Sequence, residues 1–260
     1  MASEVTGDID LEVLSYERLK ARDPEEVQKM IRVFSHEGLA YLDLKGSSAK
    51  QFLDDLKLVI QHQRKFFEEN LETKMKYYAA SNWKGFVTSD IGVEKIMFDR
   101  EQYYQKTQEI PKAFAPVSEK VTATSNFIDS ALRDIAKTLC TSLDPPVPAN
   151  LDEPENAGIS TLHLGISKAK QGECLLGSHQ DEDILTLTFY EEPFLQVQDR
   201  KTNEWKALKV KDNMPIINPG LQLQQNSKDR LFAPWHRVYM GENEIDLVMY
   251  DLYEGRQIAA

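Results

Sequence analysis

The chain carries five histidines, His36, His62, His163, His179 and His236, and two of them sit where chemistry is possible. His179 stands in Gly177-Ser-His-Gln-Asp181, just ahead of the apolar run Ile184-Leu-Thr-Leu-Thr-Phe-Tyr190. In an extended chain, residues i and i+2 project to one face, so His179 and Asp181 can aim an imidazole and a carboxylate at one point. That is two thirds of a facial triad of two histidines and one carboxylate, which holds Fe(II) and leaves positions open for other ligands. The candidate third member is His236, in Trp235-His-Arg-Val-Tyr239, which opens another β run. A His-x-Asp triplet alone is weak evidence, and the spacing by itself leaves unrelated structural residues as an open reading. His36 ends a predicted helix, where histidine favours the dipole. His62 is expected in a solvated turn of a second helix, and His163 lies in a strand with no preferred face.

The elements around these residues divide the chain. The first half reads helical. Asp23-Pro24-Glu25-Glu26 is a helix start, with a capping Asp, Pro at the first helical position and acids at the positive end of the dipole. Val27, Met30, Ile31 and Phe34 follow at helical spacing, and Gly38 supplies the stop. A strand is expected over residues 39–44, a second helix from about Ser48 to Asn70, and a third from about Pro116 to Leu143. Asp144-Pro-Pro-Val-Pro148 then forbids helix. From Gly158 the pattern changes to seven short alternating runs: 159–166, 184–190, 194–198, 206–210, 214–218, 236–240 and 245–253. These predict an α+β chain with a mainly β core, an antiparallel barrel or jelly roll, with the helices packed outside it as part of one domain over residues 1–260.

Composition excludes several classes. The 260 residues carry a net charge of −11, which argues against nucleic acid and against anionic membrane surfaces as partners. No run of 18 apolar residues suggests a membrane helix, and the acidic N-terminus lacks the apolar stretch of a secretory leader. Cys140 and Cys174 read as reduced thiols, which fits a cytoplasmic location.

The sequence resembles the isopenicillin N synthase-like branch of the Fe(II)/2-oxoglutarate-dependent oxygenases, and within it fungal members, over nearly its whole length. The resemblance rests on Gly38-Leu-Ala-Tyr-Leu-Asp-Leu44, Phe66-Phe67 and Lys74-Met-Lys76 at the front, and on Gly177-Ser-His-Gln-Asp-Glu-Asp-Ile-Leu-Thr-Leu-Thr188. Leu195-Gln-Val197, Trp205, Ile217-Asn218, Gly220 and His236-Arg-Val238 then follow in order. It implies a double-stranded β-helix with buttressing helices, and His179, Asp181 and His236 as iron ligands. It also implies a small organic substrate, O2, usually 2-oxoglutarate, and a role in fungal secondary metabolism.

The co-substrate positions depart from that pattern. An Arg-x-Ser triplet normally follows the distal His and pairs with the remote carboxylate of 2-oxoglutarate. Counting back from Met249-Tyr250, the matching triplet is Glu244-Ile245-Asp246, and no Arg or Lys lies between Gly241 and Met249. A Tyr that assists the co-substrate is matched by Leu164, and Leu221 stands where an Asp is usual. Acids in place of a cation predict atypical or absent 2-oxoglutarate use, unless Lys168, Lys170, Lys228 or Arg230 substitutes; a solvated strand end or an ion pair is the other reading of Glu244 and Asp246. Phe194, Trp205, Phe232 and Trp235 are candidates to line the pocket, with packing in the β core as the other reading, and the short stretch after Tyr253 predicts no C-terminal lid helix. Two other readings stay open. One is a non-redox cyclase or isomerase that uses Glu244 and Asp246 as acids; the other is a non-catalytic binding subunit.

Overall fold

The computed structural model describes residues 5–78, 85–100, 108–151, 159–190 and 194–254. The stretch after Glu254, and with it the expected lack of a lid, lies outside the described residues. Two short strands, β1 (Val5–Ile9) and β2 (Val13–Ser15), lead into helix α1 (Tyr16–Lys20) and helix α2 (Pro24–His36). The Asp23 side chain caps α2 by accepting from the Glu25 and Glu26 backbone N–H groups, as its place before Pro24 predicts. Gly38, at φ +76°, turns the chain out of the helix. Strand β3 (Ala40–Asp43), helix α3 (Lys50–Glu68), helix α4 (Leu71–Met75) and the hairpin of β4 (Gly85–Thr88) with β5 (Val93–Asp99) follow. The long helix α5 (Ser118–Ser142) closes the helical half, entered through a 3-10 turn over Lys112–Val117.

Eight strands then make the barrel: β6 (Thr161–Ser167), β7 (Cys174–His179), β8 (Leu185–Tyr190), β9 (Leu195–Gln198), β10 (Trp205–Leu208), β11 (Ile216–Pro219), β12 (His236–Tyr239) and β13 (Ile245–Leu252), with the short helix α6 (Leu221–Asn226) between β11 and β12. They divide between two sheets. The smaller has the order β1-β10-β9-β12-β7, and the larger β2-β3-β11-β8-β13-β6-β5-β4. In each sheet four neighbouring strands, β10-β9-β12-β7 and β11-β8-β13-β6, are antiparallel throughout. This is a double-stranded β-helix, as the helix-then-strand reading anticipates.

Seven strands are where the sequence places them, to within two residues. Several are additional. β7 escaped because its pattern is mostly exposed and carries no apolar alternation. β4 and β5 escaped because they sit between helices, joined by a tight turn with Gly92 at φ +82°.

Two cores fill the molecule. One lies between the larger sheet and the helices, where Leu162, Leu164, Leu185, Leu187, Ile217, Val248, Tyr250 and Leu252 meet α3 and α5. The other lies inside the barrel and includes Tyr41, Tyr190, Phe194, Leu195, Val197, Ile216 and Ile245. A buried ionic knot ties α5 to the sheet. Arg133 donates to both Asp129 oxygens at 2.7 and 3.1 Å, and the Tyr250 hydroxyl donates to Asp129 Oδ1 at 2.8 Å. Arg100 Nε lies 3.2 Å from Asp129 Oδ2. No described helix is long and apolar enough to cross a membrane.

Candidate metal centre

β7 and β12 are hydrogen-bonded neighbours in the smaller sheet, and their register sets His236 directly opposite His179. The two rings lie 4.2 Å apart between centroids. Asp181 follows two residues after His179, at the start of the turn into β8. Its Oδ1 is 3.4 Å from His236 Nε2 and 3.7 Å from His179 Nε2. One ligand atom from each of the three falls within 4.8 Å of the others, as a single ion requires.

Each imidazole is oriented from behind. His179 Nδ1 is 2.8 Å from the Gly177 carbonyl, and His236 Nδ1 is 3.1 Å from the Pro234 carbonyl. A carbonyl only accepts, so Nδ1 must carry the proton. In the neutral ring Nε2 then carries the lone pair and faces the common point, the arrangement that metal-binding histidines use. Asp181 is fixed through its other oxygen: Oδ2 accepts from the Asn218 amide at 2.9 Å and from Thr186 Oγ1 at 2.8 Å.

The electrostatics of Asp181 and His179 match this orientation. Burial pushes the Asp181 carboxyl up. The hydrogen bond and charge of His236, with the bonds from Asn218 and Thr186, outweigh burial and hold it well below the usual carboxylate range. Burial and the neighbouring His236 lower the His179 pKa, which favours the neutral ligand form. For His236, burial acts downward, but Asp181 prevails and raises the pKa. Asp183 behaves in the opposite way to Asp181. Burial first, then the charges of Asp251 and Asp181, push it well up. Thr186 Oγ1 is 2.8 Å from Oδ2 of both Asp181 and Asp183. A hydroxyl has one proton to give, so it donates to one of these two carboxyls at a time. Gly220 is obligatory here, because a Cβ would fall 2.2 Å from Asp183 Oδ1.

The triad opens into a cavity of about 420 Å³ between the two sheets. Its wall includes Lys95, Thr161, His163, Thr188, Phe194, Leu195, Val238, Ile245, Leu247, Met249 and Asp251. His163 Nε2 lies 2.9 Å from Asp251 Oδ2, although the pair is not aligned as a hydrogen bond.

Of the other residues singled out in the sequence, most lie elsewhere. Leu164 is fully buried in the helix-side core, because its strand neighbours His163 and Gly165 take the cavity face. Glu244 is exposed in the turn before β13. Asp246 points outward to α3, where it pairs with Arg64 and accepts from Gln63. The inward row of β13 is Ile245, Leu247, Met249 and Asp251, so neither Glu244 nor Asp246 stands in the cavity. Phe232 stacks under the Arg200 guanidinium at 4.4 Å. Trp235 is 42% exposed, and Trp205 packs under Arg237 at 4.1 Å. Of the four aromatics only Phe194 lines the cavity. Lys168, Lys170 and Lys228 are exposed, and Arg230 donates to the Ser227 carbonyl. His62 is half-buried, bonded through Nδ1 to the Ala113 carbonyl at 2.6 Å, rather than free in solvent. Lys95 was not singled out, because β5 was not recognised; the Gly92 turn between two β-prone runs was the available signal.

Comparison with solved structures decides the architecture. The Arabidopsis thaliana dioxygenase for auxin oxidation, solved with 2-oxoglutarate, superposes with a TM-score of 0.79 at 17% identity, over 96% of this chain and 94% of that one. The corresponding dioxygenase for auxin oxidation in rice gives 0.78 at 16% identity, over 95% and 84%. A full-length Neurospora crassa protein in complex with alpha-KG also gives 0.78 at 16% identity, over 96% and 87%. The fold is that of the 2-oxoglutarate–Fe(II) oxygenases. Among curated proteins, a 2-oxoglutarate-dependent dioxygenase of Gibberella zeae is 23% identical across 88% of this chain and 74% of its own length. The 2-oxoglutarate-dependent dioxygenase gloE of Glarea lozoyensis is 24% identical, over 88% and 73%. The oxidoreductase vrtI of Penicillium aethiopicum is also 24% identical, and this chain spans 59% of it. No family profile matches the chain.

Proposed function

We propose that the protein is a mononuclear non-haem iron oxygenase or oxidase of the isopenicillin N synthase-like branch. His179, Asp181 and His236 are its metal ligands, and a small organic molecule is its substrate. The observation that carries this is the convergence of two Nε2 lone pairs, each with its Nδ1 tied to a carbonyl, on an ionised carboxylate at the edge of the cavity. The donor set of two neutral imidazoles and one carboxylate suits Fe(II) and leaves part of its coordination sphere free. Bound there, Fe(II) would supply O2 activation and hydrogen abstraction from the substrate.

The chain's own residues do the positioning. Gly177 and Pro234 fix the imidazoles, and Asn218 and Thr186 fix the carboxylate. Phe194, Leu195, Val238 and Leu247 give an apolar wall that excludes water from the reacting centre. The fungal origin of the curated relatives supports a place in fungal secondary metabolism, and two cysteines without a disulfide support a cytoplasmic location. The use of 2-oxoglutarate is atypical in this reading, because the inward face of β13 carries no cation. The cyclase reading loses its motivation, since Glu244 and Asp246 face away from the cavity.

Anaerobic Fe(II) titration of the full chain tests the proposal. One ion is expected per chain, and His179→Ala or His236→Ala should weaken binding by more than about 100-fold. Retention of iron by both variants at the wild-type level would refute the ligand set.

A further inference from the structure

β5, β6 and β13 lie side by side in the larger sheet, and their register aligns Lys95 with Gly165 and Gly165 with Leu247. Ile96 and Phe98 face the helices, so Lys95 takes the opposite face and enters the cavity wall. Its stem crosses the backbone of Gly165. A Cβ at position 165 would fall 3.1 Å from Lys95 Cγ, with Leu247 Cβ 3.7 Å away on the far side. A glycine in mid-strand usually weakens a sheet, and here it marks a close approach. The gap lets a lysine from two strands away extend toward the inward face of β13, where Ile245 and Leu247 are aliphatic.

Two of the acids near this lysine are paired elsewhere, and a third, Asp251, stays in the cavity wall. Glu94 accepts from Lys74 through both oxygens at 2.7 Å. Asp246 is on the helix side with Arg64. Asp251 lies beside His163. Among the described residues, Lys95 forms no hydrogen bond or ion pair. Burial pushes its pKa down, opposed by the charges of Asp251 and Asp181, so an anion brought into the cavity would stabilise it.

We propose that Lys95 is the cation that holds the remote carboxylate of a 2-oxo dicarboxylate co-substrate beside the triad, delivered across Gly165 in place of an arginine on β13. This rests on the metal-centre reading above. A carboxylate–ammonium bond in a cavity of reduced dielectric is worth roughly tenfold or more in affinity.

The test uses the full chain loaded with Mn(II), which binds the same donors without redox turnover. Loss of the free Mn(II) paramagnetic resonance signal reports metal binding. Calorimetry then compares 2-oxoglutarate with 2-oxobutyrate, which keeps the oxo-acid end and lacks the second carboxylate. Wild type should favour 2-oxoglutarate at least tenfold. Lys95→Met should lower 2-oxoglutarate affinity to the 2-oxobutyrate level and leave 2-oxobutyrate and Mn(II) binding unchanged. Lys95→Gln is the second variant if the first does not fold. The proposal falls if wild type shows no preference, if the variant keeps it, or if both ligands weaken equally. Failure of the wild type to bind Mn(II) would instead bring down the metal-centre reading, and the lysine assignment with it.

Discussion

The two faces of the larger sheet are built from alternate residues of the same strands, yet they do opposite work. Toward the helices, β6 gives Leu162 and Leu164, β8 gives Leu185 and Leu187, and β13 gives Val248, Tyr250 and Leu252. Toward the cavity the same strands give Thr161, His163 and Gly165, then Thr186 and Thr188, then Leu247, Met249 and Asp251. The outer face is almost wholly apolar and closes on α3 and α5. The inner face mixes hydroxyls, a histidine, an acid and aliphatics around a space. Because side chains alternate with a period of two, a one-residue error in register moves a residue from one role to the other. Stability and site chemistry are thus separable here by parity alone, and substitutions can test that separation.

The largest effect expected from the outer face is at the buried knot around Asp129. Asp129 accepts from Arg133 and Tyr250, and Arg100 is beside it, all buried. Asp129→Ala leaves two guanidinium groups without their carboxylate and should cost about 3–5 kcal/mol of stability. Denaturant unfolding would measure this, and Mn(II) affinity of the folded fraction should be unchanged. A matching loss of metal affinity would show that the two faces are not independent.

A smaller effect is expected at Leu164. If it faced the cavity, Leu164→Tyr would add a hydroxyl near the co-substrate and strengthen 2-oxoglutarate binding. The structure places it at 0% exposure against the helices, where a larger ring overpacks the core. The expected outcome is a loss of about 1–3 kcal/mol in chemical denaturation, with no gain in ligand affinity.

These cases show what the sequence could and could not disclose. The α2 start was legible because Asp23 and Pro24 are local signals that need no tertiary context. Seven of the eight barrel strands were legible because both cores demand apolar residues at regular spacing, and β7, mostly exposed, was not. The grouping of His179, Asp181 and His236 was legible because His179 and Asp181 are two residues apart and His236 opens a later β run, and the resemblance implied the same three residues. Leu164, Glu244 and Asp246 were misplaced for one reason. Leu164 was matched to a position and Glu244 and Asp246 were counted back from Met249-Tyr250, and neither step weighs parity: Asp246 is three residues from Met249 on the same strand and so takes the opposite face. Lys95 was hidden because its position depends on strand order, with β5 beside β6 and β6 beside β13, which local pattern does not encode.

The smallest effect, and the most discriminating for the two faces, is expected at Asp246. Charge reversal there separates two electrostatic pictures. Were the carboxylate inside the cavity, Asp246→Arg would replace repulsion of a dianion by attraction and raise 2-oxoglutarate affinity by decades. In the structure the side chain faces α3 and meets Arg64, whose side chain is 53% exposed. An ion pair so open to solvent is worth about 0.2–1 kcal/mol, because water screens it and two flexible groups must be held still. Asp246→Arg removes that pair and sets two guanidinium groups near one another, which the exposed Arg64 can relieve by swinging into solvent. The Gln63 amide loses a weak 3.4 Å acceptor but keeps the Gly165 carbonyl at 2.7 Å. The expected result is a stability loss of about 1 kcal/mol or less, with 2-oxoglutarate affinity within twofold of wild type by calorimetry. A tenfold gain in affinity would put Asp246 on the cavity face and undo the parity on which the comparison of the two faces rests.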